Sequence, residues 1–139
     1  MTLVGGRSTT CRNRWSKAES WKFMSKGYEN WARQFADSVI AQNAAIQRHD
    51  PTTGNEFARR YIEASEAMIS GAPHGLAAFA RLLGHENLAV RVMAASYLLP
   101  HRPADTLPIL EEAAKGKGIT ALGAKMTLLR WYESKPKPG

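Results

Sequence analysis

The sequence predicts an all-α fold, a short right-handed stack of about three antiparallel helical hairpins. Apolar residues recur at spacings of three and four from residue 26 onward. No stretch shows the apolar–polar alternation with a period of two that a half-buried strand requires. Proline, glycine and capping residues cut the chain into six segments of helical length.

The first helix is predicted over residues 26–48, where Tyr28, Trp31, Phe35, Val39 and Ile46 draw one apolar stripe. Glu29, Arg33 and Asp37 stand four apart on another face and mark its solvated side. His49, Asp50 and Pro51 end it, because the residue before a proline is pushed out of the α region. Thr53 with Glu56 has the form of a capping box and is expected to open the second helix, which carries Phe57, Tyr61, Ala64 and Met68 and ends at Gly71. Pro73 can open the third, since a missing N–H costs little in a first turn, and Leu76, Phe79 and Leu83 follow before Gly84 and His85.

Asn87 is the expected N-cap of the fourth helix, over residues 88–99, in which Arg91 is the one charged residue. A helix apolar nearly all round must be covered on both sides. Pro100 and Pro103 bracket a tight connection to a fifth helix with Leu107, Leu110 and Ala114. The loop 116–118 leads to a sixth, whose apolar residues are Leu122, Met126, Leu129 and Trp131. Residues 135–139 form a frayed polar tail.

A chain of 139 residues fits one domain. Its 44% hydrophobic and 22% charged residues are ordinary globular usage, which argues against wholesale disorder. The net charge of +7 invites a nucleic-acid or membrane reading, but most of it resides in the ends. Between residues 25 and 134 there are 12 basic and 11 acidic side chains, so the body offers little clustered charge to displace counterions from a polyphosphate. The most apolar stretch, 93–100, is interrupted by Ser96 and falls far short of the roughly 20 residues of a membrane span. Cys11 is the single cysteine, so neither an internal disulfide nor a cysteine zinc site can form, and a reducing, cytoplasmic setting is expected.

Residues 1–24 form a basic arm: Arg7, Arg12, Arg14, Lys17 and Lys22 stand against Glu19, with no apolar stretch of the length a secretory signal needs. The arm is expected to be disordered or upstream of the true start, with initiation at Met24, directly before the helical pattern begins.

Sliding the chain by 30 residues places Pro73 on Pro103, Phe79 on Ile109, Val92 on Leu122, Ala94 on Ala124, Leu98 on Leu128 and Leu99 on Leu129. Two hairpins thus follow one plan, as in architectures whose units cover their apolar faces by stacking on neighbours. The segment Asn87-Leu88-Ala89-Val90-Arg91, with Ala94-Ala95 and Leu98-Leu99 after it, resembles the second helix of a HEAT-like repeat. An aspartate is usual in that family where this chain has Asn87. Residues 94–100, the 104–113 helix and 122–128 before Trp131 resemble a bacterial family of HEAT-like domains of unknown function. The resemblance covers roughly residues 26–134 and implies an α-solenoid without an assigned activity.

No residue pattern signals catalysis, a cofactor or a metal. His49, His74, His85 and His101 fall at predicted helix boundaries, and no two stand three or four apart as helical ligands would. Glu56, Glu63, Glu66, Glu111 and Glu112 occupy polar faces, and the Gly116-to-Thr120 loop lacks a phosphate cradle's length and ending. Arg91 is the most singular residue. It is expected either to satisfy carbonyls or an acid between hairpins or, with Lys125, to anchor a partner.

The sequence therefore favours a non-catalytic interaction module, of adaptor or immunity type, for another protein or peptide; it leaves the oligomeric state open. Two other classes stay in view: nucleic-acid binding through the basic arm with Trp15 and Trp21 as stacking residues, and an enzyme whose site is assembled only by the fold.

Overall fold

The structure, a computed structural model, describes residues 26 to 134. Met24, Cys11, Trp15 and Trp21 in the basic arm, and the tail from residue 135, lie outside the described residues. Six α-helices and two 3-10 turns, with no strand, make up the described part. A 3-10 turn (Lys26–Tyr28) leads into α1 (Glu29–Gln47), followed by α2 (Pro51–Ser70) and α3 (His74–Ala80), which tightens into a second 3-10 turn (Arg81–Gly84). Then come α4 (Leu88–Leu98), α5 (Pro103–Ala114) and α6 (Ile119–Ser134). The all-α expectation and the six segments agree with the structure.

The turn between α1 and α2 starts the second helix earlier than the Thr53–Glu56 capping box predicts. His49 takes a left-handed conformation (φ 59°), its N–H donates to the Ile46 carbonyl at 3.0 Å, and the Asp50 N–H reaches back to the Ala45 carbonyl at 2.9 Å. These are the two bonds of a Schellman motif, formed here on histidine rather than glycine. Asp50 then serves as N-cap, its carboxylate accepting from the Thr53 N–H at 3.2 Å, with Pro51 at the first helical position. Thr53 is therefore the capped residue and not the cap.

α1 and α2 are the longest helices and pack along one another; α3 packs on α2, and α4 touches α1 on one side and α5 and α6 on the other. The core falls into two clusters that meet on α4. Phe35, Val39, Tyr61, Ala64, Met68 and Phe79 surround Val90, Ala94 and Leu98 of α4. Val92, Ala95 and Leu99, on the other side of the same segment, pack with Leu110, Ala113 and Ala124. A helix covered on both sides is what the nearly unbroken apolar sequence of α4 requires. Phe35 sits at the centre of the first cluster, with ring centroids of Phe79, Tyr61 and Tyr97 at 4.8, 5.8 and 5.9 Å in edge-on arrangements.

α6 departs from the sequence reading. Its core face is Ala121, Ala124, Leu128 and Trp131, the small alanines allowing close approach to its neighbours, while Leu122, Met126 and Leu129 point outward. Periodicity could not separate these faces, because α6 carries two apolar stripes at helical spacing.

Candidate binding groove

A groove with a cavity volume of about 630 Å³ opens over α4. Ala89, Val92, Met93, Ser96 and Tyr97 of α4 form its floor. Val39, Gln42, Asn43 and Ile46 of α1 make one wall, and Ile119, Thr120, Gly123, Thr127 and Arg130 of α6 the other. Tyr61 of α2 reaches it from below. On each wall and on the floor the residues recur at three and four, so three roughly aligned stripes converge on one channel. The volume falls in the range of clefts that take small ligands or anchor side chains, about 300 to 1,000 Å³.

The polar groups of the groove are neutral hydrogen-bonding groups, apart from Arg130. Burial pushes the Tyr61 hydroxyl above the usual phenol range against a smaller opposing effect of its hydrogen bond with Gln42. Burial likewise raises Tyr97, helped by the charge that Tyr61 would carry and opposed by a hydrogen bond with Ser65. Both phenols therefore stay protonated at neutral pH, able to donate and to accept.

The Ser96 hydroxyl donates to the Val92 carbonyl at 2.9 Å, and Thr127 Oγ1 donates to the Gly123 carbonyl at 2.9 Å. The two hydroxyl oxygens stand 3.2 Å apart and join α4 to α6. Two hydroxyl hydrogens thus serve three acceptor positions, which leaves lone pairs at the seam open to a donor from outside.

No carboxylate lines the groove, none of its hydroxyls faces a base, and among the described residues no three of His, Cys, Asp and Glu converge as metal ligands. His49 and His101 are exposed; His85 Nδ1 accepts from the Asn87 N–H at 3.0 Å, and the buried Nδ1 of His74 has no hydrogen-bond partner among the described residues. Glu56, Glu63, Glu66, Glu111 and Glu112 are all exposed.

Arg91 and Lys125, the two residues singled out from the sequence, do not line the groove. Each helical residue advances about 100°, so Arg91 lies about 200° round α4 from Ala89, on the far side from the floor. Its Nη1 donates to the carbonyls of His85 at 2.7 Å and Glu86 at 3.1 Å. Asn87 caps the same helix start, its Oδ1 accepting from the N–H groups of Ala89 at 2.9 Å and Val90 at 3.3 Å. Arg91 thereby ties the loop before α4 to the helix itself. Lys125 is exposed on the outside of α6, away from Gly123 and Thr127.

The groove residues carry no distinctive type or spacing in the sequence. The one available signal was Gly123, a glycine inside a helix: among the described residues, a Cβ there would meet nothing within 4 Å beyond its chain neighbours and its own helix backbone. Packing within the chain does not demand it, although mid-helix glycine costs about 0.5 to 1 kcal/mol.

Among solved structures, the fold is similar to the crystal structure of the protein RPA1889 from the bacterium Rhodopseudomonas palustris CGA009. The TM-score is 0.72 at 21% identity, with 81% of this chain and 93% of that chain covered. At that identity the likeness is one of fold. No family model matches the chain, and no curated protein matches it.

Proposed function

We propose that this protein is a non-catalytic interaction module whose groove over α4 receives a peptide segment of another protein. The observation that carries the reading is the groove's lining: an apolar floor, carboxamides of Gln42 and Asn43, hydroxyls with open lone pairs, and one cation, Arg130, without a carboxylate. Amides and hydroxyls complement a peptide backbone, which both donates and accepts. Apolar surface holds an anchor side chain, and Arg130 favours a segment with an acidic residue at that end.

The HEAT-like reading from the sequence fits this use, since stacked hairpins create extended grooves that bind macromolecules; that support is an analogy of fold.

Gly123→Phe tests the proposal. Its side chain enters open space at the groove wall, so the fold is retained while the channel is filled. Affinity capture from the source cell uses three baits: wild type, Gly123→Phe, and Lys125→Glu on the outer face. A partner held by wild type and Lys125→Glu but lost by Gly123→Phe supports groove binding. A partner retained by folded Gly123→Phe refutes it.

A further inference from the structure

We propose that the outer face of α6 is a self-association surface, through which two copies of this chain pair their α6 helices antiparallel about a two-fold axis.

The face is apolar and, among the described residues, unpartnered. Leu122, Met126 and Leu129 are 58, 42 and 52% exposed, and Ile119, 58% exposed, stands at the edge this face shares with the groove wall. Their spacing of three, four and three is that of a coiled-coil seam, lying on the side of α6 opposite its core face. At the 30-residue offset, Leu122 and Leu129 correspond to Val92 and Leu99. Those two are 5 and 3% exposed, because α5 and α6 cover them. α6 thus presents to the outside the positions that α4 buries against the next hairpin.

A second copy of the chain fits this face by register. An antiparallel pair whose facing residues sum to 251 sets Leu122 against the partner's Leu129, Met126 against the stem of the partner's Lys125, and Ile119 against the partner's Tyr132, which is 53% exposed and whose hydroxyl donates to Glu111 of its own chain at 3.0 Å. An isologous contact requires such self-complementarity. Glu133 then approaches the partner's Lys117, an attractive contact at both ends of the seam.

The area suffices for a modest pair. Five large side chains about half exposed supply roughly 500 Å² per chain, hence about 1,000 Å² for the pair. The stems of Lys125 and Arg130 on the flanks extend this toward the lower end of stable interfaces, about 1,200 Å². Lys125 lies next to its own symmetry mate near the axis, so removing that charge is expected to tighten the pair.

Sedimentation equilibrium on the full chain tests the proposal at concentrations up to about 100 μM. Wild type is expected to reach twice the chain mass, and Leu122→Glu/Leu129→Glu to raise the dissociation constant at least about 100-fold while circular dichroism stays helical. Lys125→Gln is expected to pair as tightly or more so. A monomeric wild type overturns the proposal and leaves the face to another occupant, such as residues 1–25 or a different protein. A dimer indifferent to Leu122→Glu/Leu129→Glu overturns it as well, and weakening by Lys125→Gln would overturn the proposed register.

Discussion

Gly75 and Gly123 are both helical glycines, yet replacing each with alanine is expected to move stability in opposite directions. Gly75 is buried in α3 where that helix meets α2, and a Cβ there would press on the Met68 carbonyl oxygen and lie 2.9 Å from its carbonyl carbon. Because the obstacle is backbone, α3 must move off α2, and α3 carries Phe79 into the aromatic cluster. Overpacking of this kind costs about 1 to 3 kcal/mol, and occasionally more, against a helix-propensity gain of about 1 kcal/mol. At Gly123 nothing opposes the new methyl group, so only the gain of about 0.5 to 1 kcal/mol remains. Urea unfolding followed by circular dichroism at 25 °C should therefore give Gly75→Ala a midpoint below that of wild type, by up to about 2 kcal/mol after the propensity gain. Gly123→Ala should give a midpoint equal or higher. A Gly75→Ala protein stabilised by the full propensity gain, as expected of Gly123→Ala, would refute the placement of α3 on α2.

Three further outcomes are expected. Leu98→Ala removes a fully buried side chain of the first cluster from the helix both clusters share, and should cost about 2 to 5 kcal/mol in the same assay with a single transition. His49→Gly relieves a left-handed conformation unfavourable to a side chain and should stabilise the chain by about 1 kcal/mol in its urea midpoint. The side-chain and backbone hydrogen bonds of Thr53 hold the Asp50 carboxyl below its ordinary 3.8. A lowered folded-state value stabilises above the unfolded value and is lost as pH falls through the folded one. Acid titration of unfolding should thus show wild type losing stability below pH 3.8 relative to Asp50→Asn, whose amide oxygen can still accept from Thr53.

The fold class was legible because helices announce themselves through period and punctuation: Asn87 capped α4 as its position predicted, and the lack of charge in α4 foretold its double burial. Two local features were hidden for definite reasons. His49 closes a Schellman motif that sequence rules assign to glycine, and this let Asp50 begin α2 before the more familiar Thr53–Glu56 pattern. In α6 the leucines and Met126 formed the larger stripe, but small alanines packed inward and the larger residues were left outside.

The groove was hidden more deeply. Its lining comes from four helices up to 91 residues apart in sequence, from Val39 to Arg130, and no residue in it is unusual alone. Arg91 drew notice as a lone charge in an apolar helix, and its observed bonds to the His85 and Glu86 carbonyls supply a structural reason for that charge. A charged residue at a helix start is conspicuous in sequence, whereas a neutral binding surface becomes visible only when the helices are set side by side.

The central claim, that the groove over α4 is where a partner docks, is tested most directly by placing a photo-crosslinking amino acid in the groove of the protein in its source cell. Substituted for Gly123 it points into the channel, and substituted for Gly84, exposed and outside the lining, it serves as control. The account expects a discrete covalent adduct from position 123, absent from position 84 and suppressed by Met93→Trp on the groove floor. Folded protein that yields no adduct at position 123, or the same adducts from both positions, would contradict it.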